Sequence, residues 1–346
     1  MHPRLHLLPT KLPRLVPHLA HLLLKDGVLY APSVFHVMMR QFSSVHFLSL
    51  RRVTFCSVSD LCRMLSALVQ LKYLSISHTS WNALARQSHR LPYSVPSRVR
   101  LSMLIIEADR GWTSDGRSVR FLSWLARSGV VSSLSAANLR RTKVYDDAML
   151  GAVDAVLHAA KRTLLVLSLG FGVEIQPSIL KSTISSMTSL RVLMLQAPHH
   201  LASFQDVVLL ITELHCGTLE QFRLWLEQYP SFTDPKSAEW AKFDRALQLP
   251  QYASLSRVTV GRIPRMDIGM PSTIHGSSDW YDYRPYWDEQ WVAELRLLLR
   301  MTHKRGILWY WPAFQQCPIP VPKAREFGIK FLSHNTTTNP PTIVYK

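Results

Sequence analysis

Nine stretches of the chain put apolar residues at the first, fourth and sixth positions of a six-residue frame. They read "LAHLLL" from residue 19, the weakest copy, then "VHFLSL" from 45, "LKYLSI" from 71, "LSMLII" from 101 and "VSSLSA" from 131. The series goes on with "LLVLSL" from 164, "LRVLML" from 190, "LEQFRL" from 219 and "LSRVTV" from 255. Their starts lie 26, 26, 30, 30, 33, 26, 29 and 36 residues apart. Self-similarity at a near-fixed period marks a stacked repeat, and it takes precedence over any single motif. Alternation within a frame predicts a short strand, with positions 4 and 6 in a core and positions 3, 5 and 7 on the other side.

Helical spacing fills the intervals. In "SDLCRMLSALVQ" (59–70), Leu61, Met64, Leu65 and Leu68 share one stripe and Ser59 is the expected N-cap. "VRFLSWLARSG" (119–129) stops at Gly129, a residue suited to ending a helix. Further helices are predicted at 146–161, 177–187, 204–217 and 238–249. A strand–loop–helix unit of this size cannot bury its own apolar face, so copies stack in one direction and share a continuous core. Helices are about 10 Å wide and strands sit about 4.8 Å apart, so such a stack curves with its strands on the concave side.

These frames with helical returns resemble leucine-rich repeats of the longer, ribonuclease-inhibitor-like kind. The texture of "VHFLSLRRVTF…SDLCRMLSALVQLKYLSI" is similar to that of fungal F-box-associated leucine-rich-repeat proteins. The resemblance covers 19–263 and implies an α/β fold, a leucine-rich-repeat solenoid (horseshoe) of eight or nine irregular repeats. It has parallel strands on the concave face and helices on the convex face. It also implies a non-enzymatic substrate-recognition subunit of a Skp–cullin–F-box ubiquitin ligase. Two departures stand out. The asparagine that such repeats carry at position 9 is replaced by Val53, Thr79, Asp109, Leu139, Gly172, Pro198, Glu227 and Ile263, so those turns need other partners. No F-box start is found: "LLPTKLPRLVPHL" (7–19) holds at most a trace of one, and residues 1–18 read as an N-terminal flank, a candidate remnant of an F-box linker. A Skp-type adaptor is therefore expected only if an F-box lies upstream.

On this scaffold the candidate site is the outward side of the strands. Positions 3, 5 and 7 supply Phe47, Arg51, Tyr73, Ile105, Glu107, Arg223, Trp225 and Arg257 as partner-binding residues. Tyr, Trp and Arg dominate protein interfaces because they add contact area at little entropic cost. Small residues in the middle repeats, Ser133, Ser135 and Ala137 among them, are expected to leave room for the partner. A one-residue slip in any frame would exchange the two faces.

Residues 264–346 leave the pattern and read as a C-terminal cap and tail. "DWYDYRPYWDEQW" (279–291) is aromatic and acidic, either a cap over the last apolar face or an aromatic ligand cluster. It runs into an amphipathic helix at 292–301 and a buried strand, "GILWYW" (306–311). "CPIPVP" (317–322) reads as an extended linker before a frayed end.

Composition narrows the function. Of 346 residues, 47% are hydrophobic and 18% charged, enough for a large core. No apolar run reaches the roughly 20 residues of a membrane helix, and prolines, histidines and Lys11 interrupt any secretory signal. A cytoplasmic or nuclear protein is expected. Cys56, Cys62, Cys216 and Cys317 are scattered, without disulfide or zinc spacing, and read as buried thiols. "LGFGVE" (169–174) is no phosphate loop, and His199 and His200 have no Ser or Asp partner at a meaningful spacing, so no cofactor, metal or catalytic residue is assigned. The formal charge of +17, from 40 Lys and Arg against 23 Asp and Glu, opens an alternative: a basic nucleic-acid-binding scaffold. No nucleic-acid motif accompanies it, and arginines dispersed along the chain read as a solvated face. A free-standing repeat protein acting as inhibitor or assembly platform is the remaining alternative.

Overall fold

The computed structural model describes residues 18–29, 39–81, 98–107, 116–139, 147–170, 178–197, 201–227, 237–263, 289–310 and 344–345. Twelve strands form one sheet: β1 (His21–Leu29), β2 (Phe47–Phe55), β3 (Tyr73–Ser77), β4 (Ser80–Trp81), β5 (Met103–Glu107), β6 (Ala136–Leu139), β7 (Val166–Gly170), β8 (Val192–Ala197), β9 (Gln221–Glu227), β10 (Arg257–Ile263), β11 (Leu308–Tyr310) and β12 (Val344–Tyr345). Every pairing is parallel. From β1 to β11 the spatial order follows the chain order without reversal. β4 pairs with the far end of β2, and β12 lies outside β1. A doubly wound sheet reverses at a switch point; this one winds in a single direction.

Eight helices are described: α1 (Val58–Ala67), α2 (Arg117–Arg127), α3 (Asp147–Ala160), α4 (Ser178–Ser185), α5 (Leu201–Glu213), α6 (Ser237–Ala246), α7 (Glu289–Leu298) and α8 (Arg300–Lys304). Neighbours in sequence pack side by side, and their apolar faces join positions 1, 4 and 6 of the strands in one core running from Leu19 to Leu308. Leu48, Leu50, Leu104, Ile106, Leu167, Leu193, Leu195, Phe222 and Leu224 are all fully buried in it. Each buried side chain of this kind contributes about 1.5–3 kcal/mol, so the frame itself holds the stack together.

The backbone repeats as strictly as the side chains. The position-2 carbonyl of one frame accepts the N–H groups of positions 2 and 3 of the next: Ala20 from His46 and Phe47, His46 from Lys72 and Tyr73, Lys72 from Ser102 and Met103. The pattern continues at Ser102, Ser135, Leu165, Arg191 and Glu220. This corrects one frame. Ser135 stands at position 2, so the fifth frame begins at Leu134 ("LSAANL"), three residues later than expected. Ala137 therefore points into the core, 2% exposed, and Ala136 and Asn138 point outward.

A hydroxyl before the frame ties neighbouring turns together. Ser44, Ser133, Thr163, Thr218 and Ser254 donate to the position-1 carbonyls of Leu19, Leu101, Leu134, Leu190 and Leu219, at 2.9–3.1 Å. Each such bond contributes about 0.5–1.5 kcal/mol. At position 9 after the strand, Val53 and Thr79 are buried.

The first three units, spaced by 26, also turn a corner. Asp26, Arg52 and His78 stand at the same place in successive frames, and all three have left-handed backbone (φ 56°, 52° and 51°). Past the corner the strands pair again, with Thr54 Oγ1 2.8 Å from Ser80 Oγ and Phe55 against Trp81. Arg52 grips the Asp26 carboxylate across the corner.

Three smaller expectations are corrected. The N-cap of α1 is Ser57, whose side chain accepts from Asp60 N–H; Ser59 lies buried inside the helix. The helix expected at 292–301 is broken at Leu299, the N-cap residue of α8. The strand at 306–311 is an edge strand whose Trp309 is 49% exposed. Gly129 does end α2 with a φ of +73°. Cys317, His199, His200, the 317–322 linker and most of the aromatic run at 279–291 lie outside the described residues, and so do Asp109, Gly172 and Pro198.

Candidate protein-binding face

Because neighbouring strands keep the same register, positions 3 and 5 form continuous rows across the face opposite the helices, and position 7 is described on either side of β6. Position 3 runs His21, Phe47, Tyr73, Met103, Ala136, Val166, Val192, Gln221, Arg257. Position 5 continues through Ser75, Ile105, Asn138, Ser168, Met194, Arg223 and Thr259 to Trp309. Position 7 carries Arg51, Ser77 and Glu107 at one end, and Gln196, Trp225 and Gly261 at the other.

All eight residues assigned from the sequence lie on this face, in two patches. Phe47, Arg51, Tyr73, Ile105 and Glu107 occupy β2, β3 and β5; Arg223, Trp225 and Arg257 occupy β9 and β10. Three strands, β6 to β8, separate the patches. That middle was expected to leave room, and it is closed. Ser168 is fully buried, Val192, Val166 and Met194 are 4–8% exposed, and the three form a small apolar cluster of their own with Ala136 and Leu165. Tyr73, Glu107 and Arg223 are buried as well, while Phe47, Arg51, Ile105, Trp225 and Arg257 are half-buried.

The C-terminal patch is the more organised. The indole of Trp225 lies against Gly261, where an added Cβ would come within 2.4 Å of the ring. Arg257 stacks on Trp309 at 4.2 Å, and Arg223 donates to Gln221 Oε1 at 2.9 Å. Trp309 escaped the sequence assignment because its frame starts at Arg305, which hides the apolar pattern; the short apolar run from Ile307 was the available signal. Gly261→Ala is expected to push the Trp225 ring off the sheet. It should destabilise the fold by about 1–3 kcal/mol and blue- or red-shift the Trp fluorescence, read in a urea titration.

Ser168 carries a different prediction. Its hydroxyl is fully buried and has no hydrogen-bond partner among the described residues. A buried hydroxyl without a partner is destabilising, so Ser168→Ala is expected to raise stability by about 1 kcal/mol, measurable as a higher melting temperature.

At the N-terminal end, His21 meets the His46 ring edge-on at 5.1 Å and tilts against Phe47. Burial, and then the charge of His46, lower the His21 pKa. The sign follows: above the unfolded value of about 6.5 the stabilisation is complete, and it is lost as pH falls below that value, because the unfolded chain takes up a proton the fold resists. Amide protection in β1 should therefore drop between pH 7.5 and 5.5 (both about one unit from that value), and His46→Asn should weaken the drop.

Two of the thiols, Cys62 and Cys216, are sealed in the core. Burial raises Cys62 well above its ordinary range and pushes Cys216 up to about 11. Tyr252, buried beside Cys216, is raised too and donates to the Ile211 carbonyl at 2.6 Å. No helix among the described residues is long and apolar enough to cross a membrane.

No protein-family model and no curated protein matches this chain.

Proposed function

We propose that the chain is a leucine-rich-repeat horseshoe that recognises another protein on the sheet face opposite its helices. The observation that carries the reading is the unbroken register: equivalent positions of successive strands form rows, so a partner meets one continuous surface. Such repeats fix the scaffold and leave the row residues free to set specificity. Since the middle is closed, contact falls on the two flanks, with Phe47, Arg51 and Ile105 at one end and Trp225, Arg257 and Trp309 at the other. Aromatic and Arg side chains at such positions are the usual energetic anchors of an interface. The resemblance to F-box-associated repeat proteins makes the partner a ubiquitylation substrate, with the transfer chemistry done by other subunits of a Skp–cullin ligase.

Affinity capture with the full-length gene product tests both levels. Recovery of Skp and cullin subunits together with a substrate that Trp225→Ala and Phe47→Ala each weaken by at least tenfold supports the reading, since anchors are worth about 2 kcal/mol or more. A substrate that both variants retain at full affinity removes the face from the account. Capture of a substrate without Skp or cullin leaves a repeat scaffold outside any ligase.

A further inference from the structure

The repeat converts residues that are dispersed in sequence into a line in space. Each return from helix to strand brings the chain to the same edge of the sheet, where the strands begin. The turns leading into β3, β5, β6, β7 and β8 hold Lys72, Arg98, Arg100, Arg127, Arg162 and Arg191, all exposed. Those turns (residues 68–72, 98–102, 127–135, 161–165 and 186–191) contain no Asp or Glu. They are stacked directly on one another: the Lys72 carbonyl accepts from Ser102 and Met103, the Leu165 carbonyl accepts from Arg191, and Ser189 Oγ donates to the Arg162 carbonyl. Gly129, in the turn before β6, lies beside the Arg100 guanidinium, where an added Cβ would be 3.8 Å from Nη1. The first acid in the series is Glu220, before β9, and it pairs with Arg191.

Helix dipoles explain only part of this rim. Arg127 sits in the last turn of α2, where a cation complements the helix C-terminus. Lys72, Arg98, Arg100 and Arg191 are in strand lead-ins, outside any helix. We infer that this rim binds the sugar–phosphate backbone of a nucleic acid. Four strand steps of about 4.8 Å give a rim about 19 Å long, the length of roughly five phosphates along one strand of a duplex. The rim holds one exposed large apolar residue, Val69, and no aromatic ring, so it has little with which to enter a bilayer or stack on bases. Binding through the backbone alone is independent of sequence and falls steeply with salt. The rim is a different surface from the sheet face, and the inference stands without the protein-binding reading.

The test uses the full chain and a labelled DNA duplex of about 20 base pairs, titrated between about 50 and 200 mM salt. Five neutralised phosphates, one for each rim cation other than the Glu220-paired Arg191, give a log–log slope of about −4.5, and Lys72→Gln/Arg100→Gln/Arg162→Gln is expected to lower it to about −2. Arg63→Gln/Arg120→Gln/Lys242→Gln, on the helices, should leave the slope unchanged, with far-ultraviolet circular dichroism confirming that both variants are folded. No binding at the lowest salt, or an unchanged slope in the rim variant, overturns the inference. So does displacement of the duplex by a poly-glutamate peptide or by anionic vesicles at a lower concentration of charge, which would assign the rim to an acidic protein or to a membrane.

Discussion

Phe243→Ala is expected to lower stability by about 3–5 kcal/mol, the range for deleting a buried aromatic ring. Phe243 is fully buried in α6, and its ring lies 5.8–5.9 Å from those of Phe222 in β9, Phe204 in α5 and Trp240 one turn away. It therefore joins two consecutive units to the sheet. In a stack where each unit contacts only its neighbours, the damage stays at that boundary. Urea unfolding followed by amide exchange should show the segment from β9 to β11 opening before β2 to β7. Uniform loss of protection along the chain would mean that the units do not behave as a linear array.

The second large effect lies one residue on. Asp244, 4% exposed, accepts from Met301 N–H (2.7 Å), Thr302 N–H (2.9 Å) and Thr302 Oγ1 (2.5 Å), and so caps the start of α8 from 57 residues away. Arg305 reinforces the joint by donating to the Leu247 carbonyl at 2.8 Å. Hydrogen bonds to a charged group contribute about 1.5–3 kcal/mol each, and Asp244→Ala leaves three donors at a buried helix start without their acceptor. The last unit should detach: α8 and β11 are expected to exchange at near-unfolded rates while β2 to β8 keep full protection. Asp244→Asn retains an acceptor and should lose markedly less. Equal losses in the two variants would point to the charge rather than the cap.

The parts of this fold that are legible in the sequence are those whose information is carried by large apolar side chains. Leu at positions 1, 4 and 6 gives the frames at 164 and 190 directly, and the helical stripe of Leu61, Met64 and Leu65 gives α1. The fifth frame is misread because Val131, Leu134 and Ala136 imitate the pattern, while the structure puts the nearly featureless Ala137 in the core. The tenth strand in the row is hidden behind Arg305. The corner at Asp26, Arg52 and His78 is unreadable for another reason: a left-handed arginine has no compositional signature, and only the constant spacing of 26 hints that the three positions are equivalent. For the candidate face, period two puts the eight assigned residues on the side opposite the helices, but alternation carries no information on exposure. Arg223 and Glu107 are buried and Ser168 is sealed, outcomes set by neighbours from strands that are distant in sequence. The basic rim likewise needs the repeat register before its charges line up.

Distances between paired spin labels test the central claim, one sheet wound in a single direction, most directly. Lys72 and Arg191 stand four strand steps apart at position 2, and Lys72 and Ser256 stand six steps apart. At about 4.8 Å per step, the backbone separations are about 19 and 29 Å, shortened slightly by curvature. The account predicts that the second distance exceeds the first by close to two steps. A Lys72–Ser256 distance equal to or shorter than Lys72–Arg191 would mean that the strands reverse order or belong to separate sheets, and would contradict it.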